Sequence, residues 1–148
     1  MDADWKMIAI DTNLLVYAHR SGTTEHKKSQ KALERAVINP MGWGIPLPCI
    51  AEFWMVVTHP SCLGGASSPE IARRFLESLL ESGKGQIWHP SSGFGLRLAN
   101  SGSKMGVCGA RIFDLQIAMI ALENGCSQIW THDKAFISIP GLRVVDPL

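Results

Sequence analysis

The chain has 148 residues, 46% of them hydrophobic and 18% charged, with a formal net charge of +1. That length suits one domain of ordinary size with a real hydrophobic core, and the composition excludes a disordered or low-complexity chain. The near-neutral balance excludes bulk attraction to nucleic acid, so any such binding has to rest on a local patch.

The N-terminal residues Met1–Lys6 read as an extension ahead of Met7. Acidic residues there precede only a very short apolar run, which is not the pattern of a signal peptide. No stretch approaches the roughly 18 apolar residues a membrane span needs. The four cysteines, Cys49, Cys62, Cys108 and Cys126, form no CxxC pair. That spacing speaks against a zinc knuckle and for unpaired thiols in a reducing cytoplasm.

Met7–Ile10 is an apolar run ended by Asp11, the pattern of a buried strand. Leu14, Leu15 and Ala18 then begin a helical stripe. Thr24–Ile38 predicts a helix with a basic outer face (Lys27, Lys28, Lys31, Arg35), closed by Asn39-Pro40. Trp43–Pro46 is a second strand candidate. Ile50–Thr58 reads as a short buried helix stopped before Pro60, and Ser61–Ser68 as a Gly/Ser-rich loop. Ser68-Pro69-Glu70 is a helix start, carried by Ile71, Phe75, Leu76, Leu79 and Leu80 to Gly83.

Gln86–His89 is a third strand candidate, and a helix begins near Ser91 or Ser92. Ala110–Asn124 is the plainest helix, ended by Gly125. Ile129–Thr131 and Arg143–Val145 complete the strands. This alternation predicts a three-layer α/β/α sandwich with a mainly parallel central sheet, in one domain over 1–148 without repeat or linker.

Against that frame four acids are of interest. Asp11 stands at the carboxyl end of a buried strand, the edge where ligands bind in open α/β sheets, and Thr12 and Asn13 are positioned to face the same crevice. It reads equally well as a helix cap. Asp114 lies in Arg111–Leu122, a helix that is apolar almost all round, where a carboxylate is costly unless paired or bound to metal. Ala118 and Ala121 beyond it leave room for a groove. Asp133 follows the Gln128–Thr131 strand and also fits a turn or N-cap acid. Glu52 also fits a first-turn acid favoured by the helix dipole.

Four ionised carboxylates gathered at about 5 Å would repel by roughly 3 kcal/mol per pair at an effective dielectric near ~20. Such a group persists if a cation offsets it or some members stay protonated. All-oxygen donors select hard ions, Mg²⁺ or Mn²⁺, and such sites suit phosphodiester chemistry.

The blocks Met7–Asn13, Ile50–Phe53, Ile112–Ala118 and Thr131–Phe136, with Pro140-Gly141-Leu142 and the ending Asp146-Pro147-Leu148, resemble in order and spacing the PIN-domain ribonucleases of the VapC toxin type. The resemblance spans Met7 to Leu148. It implies a PIN-like fold and a Mg²⁺- or Mn²⁺-dependent endoribonuclease acting on RNA. It also implies a homodimer inhibited by a cognate antitoxin, the toxin of a bacterial toxin–antitoxin pair. Carried over by position, Asp11 and Asp114 become direct metal ligands. Glu52 and Asp133 act directly or through water, and Asn13 and Thr131 support them. The chain departs from the family pattern at Leu115, where the family usually has a small residue; Leu115 either narrows the groove or packs elsewhere.

Arg111, one turn before Asp114, is a candidate for holding a substrate phosphate; Lys104 and Lys134 are weaker ones. Trp54, Trp88 and Trp130 lie in apolar runs and are expected in the core. His132 belongs to no HExxH spacing, and Gly93-Phe94-Gly95 lacks the third glycine of a dinucleotide loop. A phosphoacceptor receiver domain needs paired acids after its first strand, but Thr12 follows Asp11. A PIN fold kept only for RNA binding or scaffolding is the remaining alternative, disfavoured by the presence of all four acids.

Overall fold

The computed structural model describes residues 6–62 and 64–148. Residues 1–5 of the expected extension lie outside these; Lys6 lies inside, its carbonyl accepting from Asn39 Nδ2 at 2.7 Å.

The elements in chain order are β1 (Ile8–Ile10), α1 (Thr12–His19), α2 (His26–Val37), β2 (Trp43–Pro46), α3 (Leu47–Thr58) and α4 (Pro69–Glu81). Then come β3 (Gly85–Trp88), α5 (Phe94–Met105), α6 (Arg111–Glu123), β4 (Gln128–Trp130) and β5 (Arg143–Val145). The strands form one sheet in the order β3-β2-β1-β4-β5, and every pairing is parallel. The expected sandwich is therefore the observed one, with a wholly parallel sheet among the described residues.

Parallel neighbours need crossovers, and crossovers are right-handed. Going β1 to β2 to β3, the chain moves one way across the sheet and lays α1 to α4 along one side. Returning from β3 to β4 it must cross β1 and lay α5 and α6 along the other. In register, Ala9 stands opposite Gly44 on one side and Ile129 on the other. β1 is thus the central strand, flanked by strands whose connections leave in opposite directions. That reversal opens a crevice beyond the carboxyl ends of β1 and β4.

The central strands are buried on both faces, so β1 and β2 carry no alternation of polar and apolar residues. Two glycines let them hold indole rings. A Cβ on Gly44 would lie 2.5 Å from Trp88, and one on Gly85 would lie 2.4 Å from Trp43. Trp43 is the largest fully buried side chain among the described residues.

Several details differ from the sequence expectation. Most element ends move by one or two residues, as boundaries do. α3 begins at Leu47, three residues before Ile50, because Pro48 sits in its first turn, where a missing N–H costs nothing. α5 begins at Phe94, after Gly93 caps it with φ +79°. Trp54 is not core: α3 is apolar over most of its surface, but only Cys49, Phe53 and Val57 are buried, leaving Trp54 37% exposed. Trp88 is buried as expected, whereas Trp130 is half-buried beneath the Arg35 guanidinium. Ile71 is likewise exposed, and α4 packs through Ala72 and Leu76. All four cysteines are free. No helix among the described residues is long and apolar enough to cross a membrane.

Candidate active site

The crevice beyond β1 and β4 is a cleft of about 320 Å³ lined by Asp11, Thr12, Asn13, Val16, Tyr17, Glu52, Val56, Asp114 and Asp133. All four acids singled out in the sequence therefore line one cleft. Four elements deliver them: Asp11 follows β1, Glu52 rides α3, Asp114 lies in the first turn of α6, and Asp133 follows β4.

Asp11 is both a cap and a cleft acid, so its two readings coexist. It is the N-cap of α1, with Oδ1 accepting from the Thr12 amide at 2.8 Å, and it is only 5% exposed. Oδ2 accepts from Thr131 Oγ1 at 2.8 Å and from Asn13 Nδ2 at 3.2 Å. The thiol of Cys49, on the buried face of α3, donates to Oδ1 at 3.8 Å. Burial pushes the Asp11 carboxyl up, the Thr131 and Thr12 hydrogen bonds hold it down, and the fields of Glu52 and Asp133 push it up again. Burial, then the neighbouring Asp11 charge, pushes Cys49 well up, so it stays a donor thiol at neutral pH.

Asp114 is half-buried rather than enclosed, since only one side of α6 faces the core and Phe113 beside it is 56% exposed. Burial raises its carboxyl, the charges of Asp11 and Asp133 raise it further, and the Ile137 amide and Arg111 pull it back. Ala118 and Ala121 form no groove; both are fully buried and let α6 approach the sheet. Leu115 does not narrow the cleft, being 1% exposed in the core and packed toward Gly102.

Glu52 is the sixth residue of α3, not a first-turn acid, because the helix starts earlier than its apolar run suggests. Its Oε2 accepts from Thr12 Oγ1 at 2.9 Å, which turns it toward β1. Asp133 is exposed and makes the turn contact expected of it, Oδ1 accepting from the Ala135 amide at 2.9 Å, yet it also faces the cleft. No helix follows it.

Asn13 and Thr131 tie the two central strand ends together. Asn13 Nδ2 donates to Thr131 Oγ1 at 2.9 Å, and Asn13 Oδ1 accepts from the His132 amide at 2.9 Å. Arg111 is exposed and near enough to act on Asp114, but it does not line the cleft. Tyr17 is the aromatic that the sequence reading missed. Its ring meets His132 edge-on at 6.0 Å, and His132 is anchored to Asp146 at 2.9 Å. A signal existed, since Tyr17 lies six residues after Asp11 on the same short helix.

None of the four acids forms an ion pair with Lys, Arg or His among the described residues. The donors fit a hard divalent ion in kind, being oxygens that repel one another and lack a cation. They do not form a closed cage: no three His, Cys, Asp or Glu among the described residues stand grouped to hold one ion. Such a set suits an ion held by one or two carboxylates and completed by water.

A parallel sheet in this order, with four carboxylates at its switch point, defines a PIN-type α/β protein. The PIN domain family model matches residues 8–142, and the chain belongs to that family. Ribonuclease VapC43 of Mycobacterium tuberculosis is 30% identical over 142 residues, 96% of each chain. The crystal structure of VapC20 from the same organism, a Sarcin-Ricin loop cleaving toxin, superposes with a TM-score of 0.66 at 12% identity, over 87% of this chain and 92% of that one. VapBC2 from Rickettsia felis, bound to a DNA fragment from its promoter, gives a TM-score of 0.64 at 21% identity, over 94% and 97%. At those identities the two structures speak to fold alone.

Proposed function

We propose that this protein is a metal-dependent endoribonuclease, the toxin of a toxin–antitoxin pair, hydrolysing RNA phosphodiester bonds in the cytoplasm. The observation that carries the reading is the convergence of Asp11, Glu52, Asp114 and Asp133, from four separate elements, on one cleft at the sheet's switch point. The ribonuclease names of the nearly full-length relatives support it. The whole of 1–148 is read as one domain, working as a homodimer restrained by a cognate antitoxin.

Asp11 and Asp114 are assigned as direct ligands of Mg²⁺ or Mn²⁺, with Glu52 and Asp133 acting directly or through water. When bound, the ion supplies a nucleophile at neutral pH and offsets charge on the leaving oxygen. Thr131 and Asn13 hold Asp11 Oδ2 and the Thr12 amide holds Oδ1, so its orientation is set before substrate arrives. Thr12 does the same for Glu52. Arg111, exposed beside Asp114, is assigned to a substrate phosphate.

Purified protein incubated with structured RNA tests the reading. Cleavage is expected with Mg²⁺ or Mn²⁺, none with EDTA, and none from Asp11→Asn. Intact RNA in every lane with tight binding retained would make the protein a PIN-fold binding module instead.

A further inference from the structure

The acidic cleft does not end at its carboxylates. Val16 of α1 and Val56 of α3 also wall a second cleft of about 420 Å³, lined further by Arg20, Thr23, Met55 and His59. The two clefts therefore adjoin, with these valines between them.

The chemistry differs between the two clefts. The first cleft presents four carboxylates, whereas no acid lines the second. Arg20 lines the second, its guanidinium anchored by Nη2 donating to the Val57 carbonyl at 2.7 Å. His59 Nδ1 accepts from the Ser61 amide at 3.1 Å, which leaves Nε2 as the ring's N–H donor. Apolar walls with donors and no carboxylate suit a flat ring whose edge presents acceptors, and they suit a phosphate less because the valines and methionine cannot solvate it. Sequence-specific proteins read single-stranded RNA by unstacking a base into such a place.

We propose that this second cleft is the subsite for the nucleobase next to the scissile phosphate, and that Arg20 and His59 select a base with an acceptor-rich edge. The proposal rests on the ribonuclease reading above and goes beyond it by assigning the residues that set sequence preference. His59 is exposed, so its removal leaves the core intact.

The test uses the full chain, Mn²⁺ and a random-sequence single-stranded RNA library, with the cut ends sequenced. The unaltered protein should favour one base at a position flanking the cut. His59→Ala and Thr23→Trp, the first removing a donor and the second filling the space, should each reduce that preference by about tenfold, the worth of roughly 1.4 kcal/mol. Their KM for the preferred site should rise while kcat is nearly kept. Unchanged preference and KM in both variants would overturn the subsite while leaving the ribonuclease reading standing. So would variants that cut with the same preference but escape a co-expressed antitoxin, since the cleft would then belong to a protein partner. No cleavage by the unaltered protein would remove the ribonuclease reading, and the subsite with it.

Discussion

Thr131 donates its hydroxyl to Asp11 Oδ2 at 2.8 Å, joining residues 120 positions apart at the ends of adjacent parallel strands. Thr131 Oγ1 in turn accepts from Asn13 Nδ2 at 2.9 Å and from the Asp133 amide at 3.1 Å. A hydroxyl offers one donor and two acceptor sites, so Thr131 uses its whole capacity on three neighbours around the cleft. Being 1% exposed, it has no water to replace any of them.

Thr131→Val keeps the shape and removes all three bonds. The donors of Asn13 and Asp133 then lose an acceptor, a loss of about 1–3 kcal/mol for each buried group left unsatisfied. Urea unfolding should show a loss of that order, and Mn²⁺ affinity should fall about 10–100-fold, as when the partner of a metal ligand is removed. Thr131→Ser should recover most of both. Equal metal affinity in the valine and serine variants would show that the hydroxyl does not position Asp11.

Removing a carboxylate from the cleft should stabilise the metal-free protein. Burial and neighbouring charge raise the carboxyls of Asp11 and Asp114 above their ordinary range. The folded state then holds more protons than the unfolded chain between that range and the raised values. Their contribution to stability therefore falls as pH rises through this window. Asp114→Asn removes the charge, and in EDTA at neutral pH it should melt higher than the unaltered protein, by about 1–3 °C because water screens a half-buried carboxyl. The gain should shrink as pH drops toward the ordinary aspartate range. Adding Mn²⁺ should reverse the order, stabilising only the chain that keeps its ligand. A variant that melts lower than its parent in EDTA at neutral pH would contradict the electrostatic account.

What was legible in the sequence follows from local physics. Short apolar runs alternating with helical stripes define a parallel sheet, and an acid closing such a run marks the ligand edge, so Asp11 was readable. Asp114 stands out in the sequence for its apolar neighbours, yet it is Asp11 that is deeply buried. The rest depended on pairings no local pattern carries. Which side of α3 faces inward is decided by what packs on it, so Trp54 looked like core while Trp43 is more deeply buried. Thr131 as the centre of the hydrogen-bond set emerges only when β4 lies beside β1. Ala118 and Ala121 suggested a groove because small residues can mean either space or close approach, and here they permit close approach.

Two glycine substitutions separate packing from propensity. Gly44→Ala would set its methyl 2.5 Å from the Trp88 ring on a central strand, where overpacking costs roughly 1–3 kcal/mol. Gly95→Ala, in the first turn of α5, meets nothing within 4 Å and should stabilise by about 0.5–1 kcal/mol through helix propensity. Chemical denaturation of both variants should show opposite signs. If Gly44→Ala unfolds at the same denaturant concentration as its parent, the Trp88 contact is not a tight one.

Arg111 offers the cleanest separation of substrate binding from folding. It is exposed at the start of α6, makes no ion pair among the described residues, and stands close enough to Asp114 for its charge to be felt there. Arg111→Ala should therefore change the melting temperature little, since surface substitutions mostly stay within about 0.5 kcal/mol. If the side chain holds a phosphate, the variant should bind single-stranded RNA more weakly at low salt. The slope of log affinity against log salt should then be shallower by about 0.7, the share of one phosphate contact on a single strand. The two RNA-binding curves should converge as salt rises, because the lost contact is the one salt screens. Parallel curves would place Arg111 outside the RNA path, leaving Asp114 without a cationic neighbour on the substrate side.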